Sequence, residues 1–387
     1  MQVFIIAGEP SGDRLGAALM AGLKQLRPDV QFDGIGGPEM EAQGLTSRFA
    51  MQELSVMGIA EILPGLRHLL RRIDETAKAV TAARPDVLIT IDSPDFCLRV
   101  AKRAKAEIPI NTVHYVAPSV WAWRPKRAAK MAKMIDHVLA LLPFEPDFMQ
   151  AAGMGCDFVG HPVAAEPIAG TDDIAAFRMA YGLGTAPLLT VLPGSRGGEV
   201  SRHTPIFGAA LRPILAERPD LRLILPTTGP QVERIQALTQ DWSQQPVILD
   251  PRRHSAEAAQ AEKRAAFGAS KVALAASGTV SLELAAQGTP MAIAYGMNRM
   301  TWEIVSRIAL LNTVTLVNLV SETRVVPECL GPNCVASKIT PMLRKVLEDP
   351  SRQAEAMAIT MDRLGRGGAS PGLRAARAVL AQMPGAH

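Results

Sequence analysis

The hydrophobic positions form short runs of Val, Ile and Leu that alternate with longer stretches of helical periodicity. In the first half of the chain, helices are predicted to begin near residues 15, 66, 96, 126 and 146, and strands are predicted at 3–7, 31–35, 86–91, 111–116, 137–142 and 157–159. Several apolar runs end in Gly, Pro, Ser or Asp, which is typical of βαβ units in a parallel sheet. The pattern predicts a doubly wound, Rossmann-like α/β lobe.

A second series of the same kind follows a break at residues 164–185, where Pro and Gly surround one short helical piece. Its strands are predicted at 188–192, 222–225, 247–249, 272–275, 291–294 and 315–319. The fold class is therefore α/β, with two doubly wound lobes. We place one domain at 1–165, a second at 166–345, and terminal helices at 346–387.

Composition adds limits to this picture. The 387 residues suffice for two domains with their own cores, and a formal charge of +4 shows no large overall excess of either sign. The four cysteines lack paired zinc spacing, which favours buried thiols in a reducing cytoplasm. Met1 leads directly into the first predicted strand without a basic segment or cleavage site, so we expect a cytoplasmic protein.

Ligands of doubly wound sheets bind beyond the carboxyl ends of the strands, so polar residues there are candidates. The first such segment reads A-G-E-P-S-G-D at 7–13. Its glycine spacing fits neither a dinucleotide fingerprint nor a P-loop, and two carboxylates would repel a pyrophosphate. Glu9, Ser11 and Asp13 suit hydrogen bonds to sugar hydroxyls. Alternatively, Ser11 and Asp13 cap the following helix.

The second candidate is Asp92, which follows the apolar run 87–91 in I-D-S-P-D-F. Ser93 and Pro94 are explained structurally, as the N-cap and first residue of a helix. Asp92 has no such required task, and a carboxylate in this position is a candidate general base. The alternative is that it is a second capping group.

The third candidate segment combines tryptophan with positive charge. Residues 99–133 contain nine Lys and Arg against the single acid Glu107, and Trp121 and Trp123 lie among them. Such a segment could stack nucleobases, form a solvated helix face or meet anionic headgroups. No nucleic-acid-binding motif accompanies it, so we predict no nucleic acid partner.

Two strand ends in the second lobe favour a nucleotide diphosphate. The segment P-G-S-R-G-G-E at 193–199 offers backbone N–H groups and the charge of Arg196, which together predict an anion site. The segment A-S-G-T-V-S-L-E at 276–283 repeats a small-residue turn before a helix that carries Glu283. No metal-ligand cluster is present in the pattern, and we predict neither metal nor cofactor.

A basic amphipathic helix is predicted near residue 66. The proposed membrane-contact positions combine apolar and basic side chains: Ile62, Leu63, Leu66, Arg67, Leu69, Leu70, Arg71 and Arg72. Such a helix can pack on a core or lie on an anionic bilayer. Additional apolar residues at 56–63 widen the patch, so we expect peripheral binding to an anionic membrane.

Seven motifs, in order, carry a resemblance to a known family: A-G-E-P-S-G-D, I-D-S-P-D-F, H-Y-V-A-P-S-V-W-A-W-R, L-L-P-F-E, F-V-G-H-P, L-P-G-S-R-G-G-E-V and A-A-S-G-T-V-S-L-E. Over residues 1 to roughly 345 the chain resembles the lipid-A-disaccharide synthases, which are inverting glycosyltransferases of the GT-B architecture. The resemblance implies transfer of 2,3-diacylglucosamine from its UDP derivative to 2,3-diacylglucosamine 1-phosphate at the inner membrane. It also leaves room for a homodimer through exchange of C-terminal helices.

The resemblance implies a role for each candidate residue. Asp92 would be the catalytic base, with Glu9, Ser11 and Arg196 as further catalytic groups. The UDP-sugar would be bound by Ser195, Arg196, Ser277, Gly278, Thr279, Glu283 and Asn318. Two other hypotheses stay open at this point: a UDP-N-acetylglucosamine 2-epimerase of the same fold, and a nucleotide-binding scaffold without enzymatic activity.

Overall fold

The computed structural model describes residues 1–55, 62–121, 126–298, 302–303, 306 and 312–383, with residues 55 and 62–66 described by their backbone only. The chain divides into two compact units. Unit 1 comprises Met1–Ala165 and Gly367–His387, and unit 2 comprises Glu166–Arg366. Each unit contains a six-stranded sheet whose strand pairs are all parallel.

Unit 1 alternates strands and helices. Its strands are β1 Gln2–Ala7, β2 Gln31–Ile35, β3 Val87–Ile91, β4 Asn111–Tyr115, β5 His137–Ala140 and β6 Gly155–Phe158. Its helices before the unit boundary are α1 Pro10–Leu26, α2 Pro38–Glu41, α3 Gln52–Ser55, α4 Ile62–Ala83, α5 Pro94–Glu107, α6 Lys126–Met131 and α7 Glu145–Gln150. The strand order is β2-β1-β3-β4-β5-β6.

Unit 2 repeats the alternation. Its strands are β7 Leu188–Leu192, β8 Arg222–Pro226, β9 Val247–Leu249, β10 Ser270–Ala275, β11 Met291–Tyr295 and β12 Glu328–Leu330. Its helices are α8 Thr171–Ala180, α9 Gly197–Glu217, α10 Val232–Thr239, α11 Ala256–Ala269, α12 Val280–Ala286, α13 Leu316–Ser321, α14 Ala336–Glu348 and α15 Ala354–Arg363. The order is β12-β11-β10-β7-β8-β9, the dinucleotide-fold arrangement.

The predicted fold class is confirmed, and one predicted strand is wrong. Residues 316–321 form the helix α13, whereas the sixth strand of the second sheet is β12. A short apolar run does not by itself distinguish a buried strand from a buried helix. The carboxylate of Glu328 decides the outcome, since it accepts hydrogen bonds from the backbone N–H groups of Val314 and Thr315 at the start of the helix.

The chain returns to unit 1 in its last helix, α16 Pro371–Ala381. Three residues of α16, Ala375, Ala376 and Val379, are fully buried in the core of unit 1. The helix α15, in contrast, packs on α12 and α13 in unit 2. The structural division at residue 366 therefore differs from the boundary predicted at 345.

Burial patterns explain both the helices and the cysteines. On α4, Ile73, Ala77 and Val80 recur at helical spacing and are buried in the core of unit 1. All four cysteines are free and buried, as expected. Within the described residues, no helix has the length and apolar character needed to cross a bilayer.

Close packing of α16 on α1 makes Gly372 sensitive to substitution. A Cβ atom at Gly372 would overlap the backbone carbonyl oxygen of Ala18. We expect Gly372→Ala to lower the free energy of unfolding by about 1–3 kcal/mol, because backbone atoms cannot move aside cheaply. Urea denaturation followed by circular dichroism measures the change. The exposed Arg377 on the same helix provides the control. Arg377→Ala should change the free energy of unfolding by less than about 0.5 kcal/mol. Equal effects of the two substitutions would contradict the proposed close contact.

Candidate functional site

The candidate residues follow the strands at which each sheet reverses its order. In unit 1, Ala7 at the end of β1 pairs with Ile91 at the end of β3. In unit 2, Leu192 at the end of β7 pairs with Ala275 at the end of β10. Loops that leave neighbouring strands in opposite directions open a crevice, and ligands of doubly wound sheets bind in it. Each sheet thus brings two of the four predicted motifs side by side.

Asp92 lies in a strained stretch of backbone. Asp92, Ser93 and Val116 have φ values of +49°, +42° and +83°, in the left-handed region that non-glycine residues rarely occupy. Each such residue costs on the order of 1–3 kcal/mol, and such strain clusters at functional sites. Two backbone hydrogen bonds of 3.0 Å hold the strand ends, from Asp92 N–H to Tyr115 and from Val116 N–H to Leu139.

A cavity of about 230 Å³ lies beside Asp92, and His114 and Arg127 also line it. His114 is buried, and its Nδ1 lies 2.7 Å from Thr90 Oγ1. Burial, with a smaller contribution from the charge of Arg127, lowers the pKa of His114 to about 4, so its ring is neutral at pH 7. The cavity therefore combines a carboxylate, a guanidinium and a neutral imidazole.

The A-G-E-P-S-G-D segment separates into exposed and buried members. Glu9 and Ser11 are exposed at the start of α1, and Glu9 rather than Ser11 occupies the N-cap position. Asp13 is buried, and its carboxylate accepts hydrogen bonds of 2.8–3.0 Å from the backbone of residues 37, 39 and 40. Asp13 thus fixes the loop before α2 instead of capping α1 or meeting a ligand, whereas Glu9 and Ser11 are accessible.

The tryptophan segment contains a structural group. Trp121 is buried, packs edge-on against Phe144 at 5.1 Å, and donates a hydrogen bond from Nε1 to Glu145. Burial raises the pKa of Glu145 to about 7, although bonds from Trp121 and two backbone N–H groups oppose the shift. Trp121 is therefore not available to stack on a base. Trp123 lies outside the described residues.

Part of the predicted membrane-contact set belongs to the core. Leu69 is buried with Ile73 on the side of α4 that packs against α5, so its assignment to a membrane surface is wrong. Arg72 is held by a two-point contact with Glu53 and lies 4.4 Å over the ring of Phe49. Three of the eight predicted positions have described side chains on the outside: Arg67, Leu70 and Arg71. The side chains of Ile62, Leu63 and Leu66 lie outside the described set.

The loop after β7 differs in one respect from the predicted anion site. The backbone N–H groups of Ser195 and Arg196 both donate to the carboxylate of Glu199, at 3.2 and 3.4 Å. The Arg196 guanidinium lies 3.6 Å from the same carboxylate and is 85% exposed. Gly194, with φ +125°, allows the close approach of Glu199 that this requires. An internal carboxylate therefore occupies the position that we predicted for an external anion.

A cavity of about 240 Å³ joins the two motifs of unit 2. Ser195, Gly278, Thr279 and Glu283 line it, as the pattern predicts for a common ligand site. Arg196 and Ser277 adjoin lining residues in the chain but are not among the described lining side chains. Glu283 forms an ion pair of 2.5 Å with Lys263 of α11, which also lines the cavity.

Asn318 lies away from this cavity, contrary to the prediction for it. Its side chain is buried, its Nδ2 donates to Thr313 Oγ1 and the carbonyl of Val326, and its Oδ1 accepts from the N–H of Val326. The amide therefore ties α13 to the segments that precede and follow it. Internal bonds of this kind cannot be read from a polar residue within an apolar run.

Sequence reasoning missed Thr227 and Lys263. Thr227 follows β8 and lines the cavity of unit 2, and its Oγ1 is buried with no hydrogen-bond partner among the described residues. A buried hydroxyl without a partner is costly and points to a ligand that supplies one. Its position directly after a predicted strand was an available signal. The position of Lys263 inside the long 251–270 segment gave none.

Comparison with known proteins gives a consistent result over the whole chain. A family model described as lipid-A-disaccharide synthetase matches residues 3–379. A lipid-A-disaccharide synthase from Ruegeria pomeroyi is 63% identical over 385 residues, covering 100% of this chain and 96% of the relative. One from Rhodospirillum centenum is 44% identical, covering 98% and 94%.

Solved structures share the fold at low identity. The UDP complex of S. aureus MnaA has a TM-score of 0.66 at 12% identity, covering 98% of this chain and 94% of that one. UDP-GlcNAc 2-epimerase from Neisseria meningitidis, bound to UDP-GlcNAc, has a TM-score of 0.64 at 11% identity, covering 98% and 99%. Identities this low show the two-lobe fold alone.

Thr227 offers a test of the unit 2 cavity. We expect Thr227→Val to raise the free energy of unfolding of the unliganded protein by about 1 kcal/mol, since it removes a buried hydroxyl without a partner. The same change should weaken UDP binding about 3- to 10-fold, measured by calorimetry. The exposed Thr185, which does not line the cavity, serves as the control through Thr185→Val. A loss of stability with unchanged UDP binding would contradict the assignment.

Proposed function

The chain belongs to the lipid-A-disaccharide synthase family, and we propose that it joins two diacylated glucosamines. Membership of this family makes it a glycosyltransferase with a UDP-sugar donor and a sugar phosphate acceptor. It transfers 2,3-diacylglucosamine from UDP to the 6-hydroxyl of 2,3-diacylglucosamine 1-phosphate. The products are a β-1,6-linked disaccharide 1-phosphate and UDP. This reaction belongs to lipid A and lipopolysaccharide biosynthesis.

The observation that carries the mechanism is the placement of Asp92. A carboxylate at a cavity can accept the proton of the 6-hydroxyl while that oxygen bonds to the anomeric carbon of the donor. The bond between the anomeric carbon and the diphosphate breaks in the same step, and UDP leaves with the electron pair. A single displacement inverts the anomeric centre and needs no covalent enzyme intermediate. Glu9 and Ser11, exposed after the neighbouring strand, would bind sugar hydroxyls.

The cavity of unit 2 would bind the donor. Ser195, Gly278 and Thr279 precede the helices α9 and α12, whose N-terminal N–H groups favour a diphosphate. Arg196 would turn from Glu199 to the departing UDP, where a fixed positive charge stabilises the transition state. Ser277 would assist there, and Glu283 would accept hydrogen bonds from ribose hydroxyls.

The epimerase hypothesis is not favoured. Its support is a likeness of fold at 11–12% identity, whereas full-length relatives at 44–63% identity are named lipid-A-disaccharide synthases. An epimerase also has no use for a lipid acceptor, and a scaffold without activity has no use for Asp92 in strained backbone.

We further propose that the protein is cytoplasmic and associates peripherally with the inner membrane, where an acylated acceptor resides. Arg67, Leu70 and Arg71 support this because they lie together on the exposed side of α4, and Leu70 is 37% exposed. A homodimer by exchange of C-terminal helices stays a prediction. In the structure α16 packs on α1 of its own chain.

Asp92→Asn tests the proposed base. Asparagine also tolerates the left-handed conformation at this position, so the fold should be retained. Turnover should fall about 10²- to 10⁴-fold, while the Kd for UDP stays within twofold. Disaccharide formation is measured by mass spectrometry with both substrates saturating. Glu107→Gln, at the far end of α5, is the matched control and should keep full activity. An Asp92→Asn enzyme with turnover near that control would remove Asp92 as the base.

The membrane surface is tested by the combined change Arg67→Gln, Leu70→Ser and Arg71→Gln. Each basic residue near an anionic surface contributes about 1 kcal/mol, so co-sedimentation with phosphatidylglycerol vesicles should weaken at least tenfold. Lys78→Gln, an exposed position on the same helix, should leave binding within about fivefold. Unchanged binding of the triple variant would count against this surface.

A further inference from the structure

A second, larger cavity in unit 1 lies between α5 and the segment that begins with α6. It has a volume of about 840 Å³, within the range of sites for organic ligands. We call it the basic groove. Its lining residues have the same spacing along the chain on both sides. On α5 they are Pro94, Asp95, Leu98, Arg99 and Lys102, and on the opposite side they are Lys126, Arg127, Lys130, Met131 and Met134. This spacing presents one face of each segment to the groove.

Positive charge in the basic groove is uncompensated. Five cations line it with the single carboxylate of Asp95, and within the described part of the chain none of the five forms an ion pair. On the same helix but outside the groove, Arg103 lies 3.5 Å from Asp74 and Lys105 lies 2.5 Å from Asp136. The fold thus pairs the neighbouring cations and leaves those of the groove for an anionic ligand.

The basic groove is also amphipathic and adjoins the proposed base. Pro94 and Leu98 are half-buried and supply apolar surface beside the cations. Met131 and Met134 belong to the core behind this surface. Pro94 and Arg127 line both the basic groove and the Asp92 cavity. A ligand that placed a hydroxyl at Asp92 could therefore extend a phosphate and hydrocarbon into the groove.

We propose that the basic groove binds the acceptor, with Arg99, Lys102 and Lys130 on its phosphate monoester and the half-buried Pro94 and Leu98 against an acyl chain. This inference rests on the proposed function. It gives the 1-phosphate of the acceptor a role, since the phosphate would orient the sugar with its 6-hydroxyl at Asp92. Single-stranded nucleic acid fits less well, because Trp121 is buried and bonded to Glu145.

The experiment compares a groove variant with a control that removes positive charges of the same region outside the groove. The groove variant carries Arg99→Gln, Lys102→Gln and Lys130→Gln and leaves Arg127, which lines the Asp92 cavity, in place. The control carries Arg103→Gln and Lys133→Gln, two cations of the same region that do not line the groove. Initial rates are measured in detergent micelles with each substrate varied, and both proteins are checked by circular dichroism and for UDP binding.

We expect the groove variant to raise the KM for the acceptor about 10- to 100-fold, since a charged hydrogen bond to phosphate is lost at several points. The KM for the donor and the Kd for UDP should stay within twofold, and the control should match wild type. An acceptor without its 1-phosphate should be a poor substrate for wild type, with no additional penalty in the groove variant. That non-additivity identifies the phosphate as the group bound.

Three results would overturn the assignment: an unchanged acceptor KM, an equal loss in the control, or full additivity between groove variant and dephosphorylated acceptor. If the groove instead served bilayer headgroups, vesicle binding would fall while the acceptor KM in micelles stayed constant, which also overturns it. Failure of the proposed function itself would be recognised separately, because wild type would then form no disaccharide.

Discussion

The constraint on which the structure depends is the reversal of strand order in two parallel sheets. In a parallel sheet every strand ends at the same edge, and the connecting helices cover one face or the other. Where the order reverses, two successive loops turn apart and leave room for a ligand. The neighbouring strand ends are Ala7 and Ile91 in unit 1 and Leu192 and Ala275 in unit 2. Four of the five candidate segments follow these ends, and the fifth is the tryptophan segment.

In unit 1, the backbone just after β3 and β4 has unfavourable conformations, which surrounding hydrogen bonds maintain. Asp92, Ser93 and Val116 have φ values in the left-handed region. Gly8 packs closely beside them, since a Cβ there would lie 2.5 Å from Ser93 Oγ. Strain of this kind persists only where the rest of the fold fixes the geometry. As a result, the carboxylate of Asp92 is held in one position beside a cavity that adjoins the basic groove.

In unit 2, charged and hydrogen-bonding groups of the candidate site pair with one another. Glu199 accepts the amides of the turn after β7, and Lys263 pairs with Glu283. Each carboxylate thus lies next to N–H or ammonium groups of the same site. A diphosphate would compete with Glu199 for the amides and for Arg196, so donor binding is expected to include a local exchange of partners. Thr227 adds a buried hydroxyl without a described partner to the same cavity.

Local pattern alone determined the alternation of strands and helices, the two lobes and the positions of the chemistry-bearing turns, because hydrophobic periodicity and strand-end residues are properties of short segments. The ordered motifs added the family. Tertiary structure decided what depends on distant partners. Leu69 is buried in the core of unit 1 rather than exposed to a bilayer. Asn318 bonds to residues before and after its own helix, and Glu328 accepts hydrogen bonds at the start of that helix. Likewise, Arg103 and Lys105 pair with acids elsewhere, whereas the groove cations form no ion pair within the described residues. Burial and ion pairing arise between segments far apart in the chain, so no local pattern could specify them.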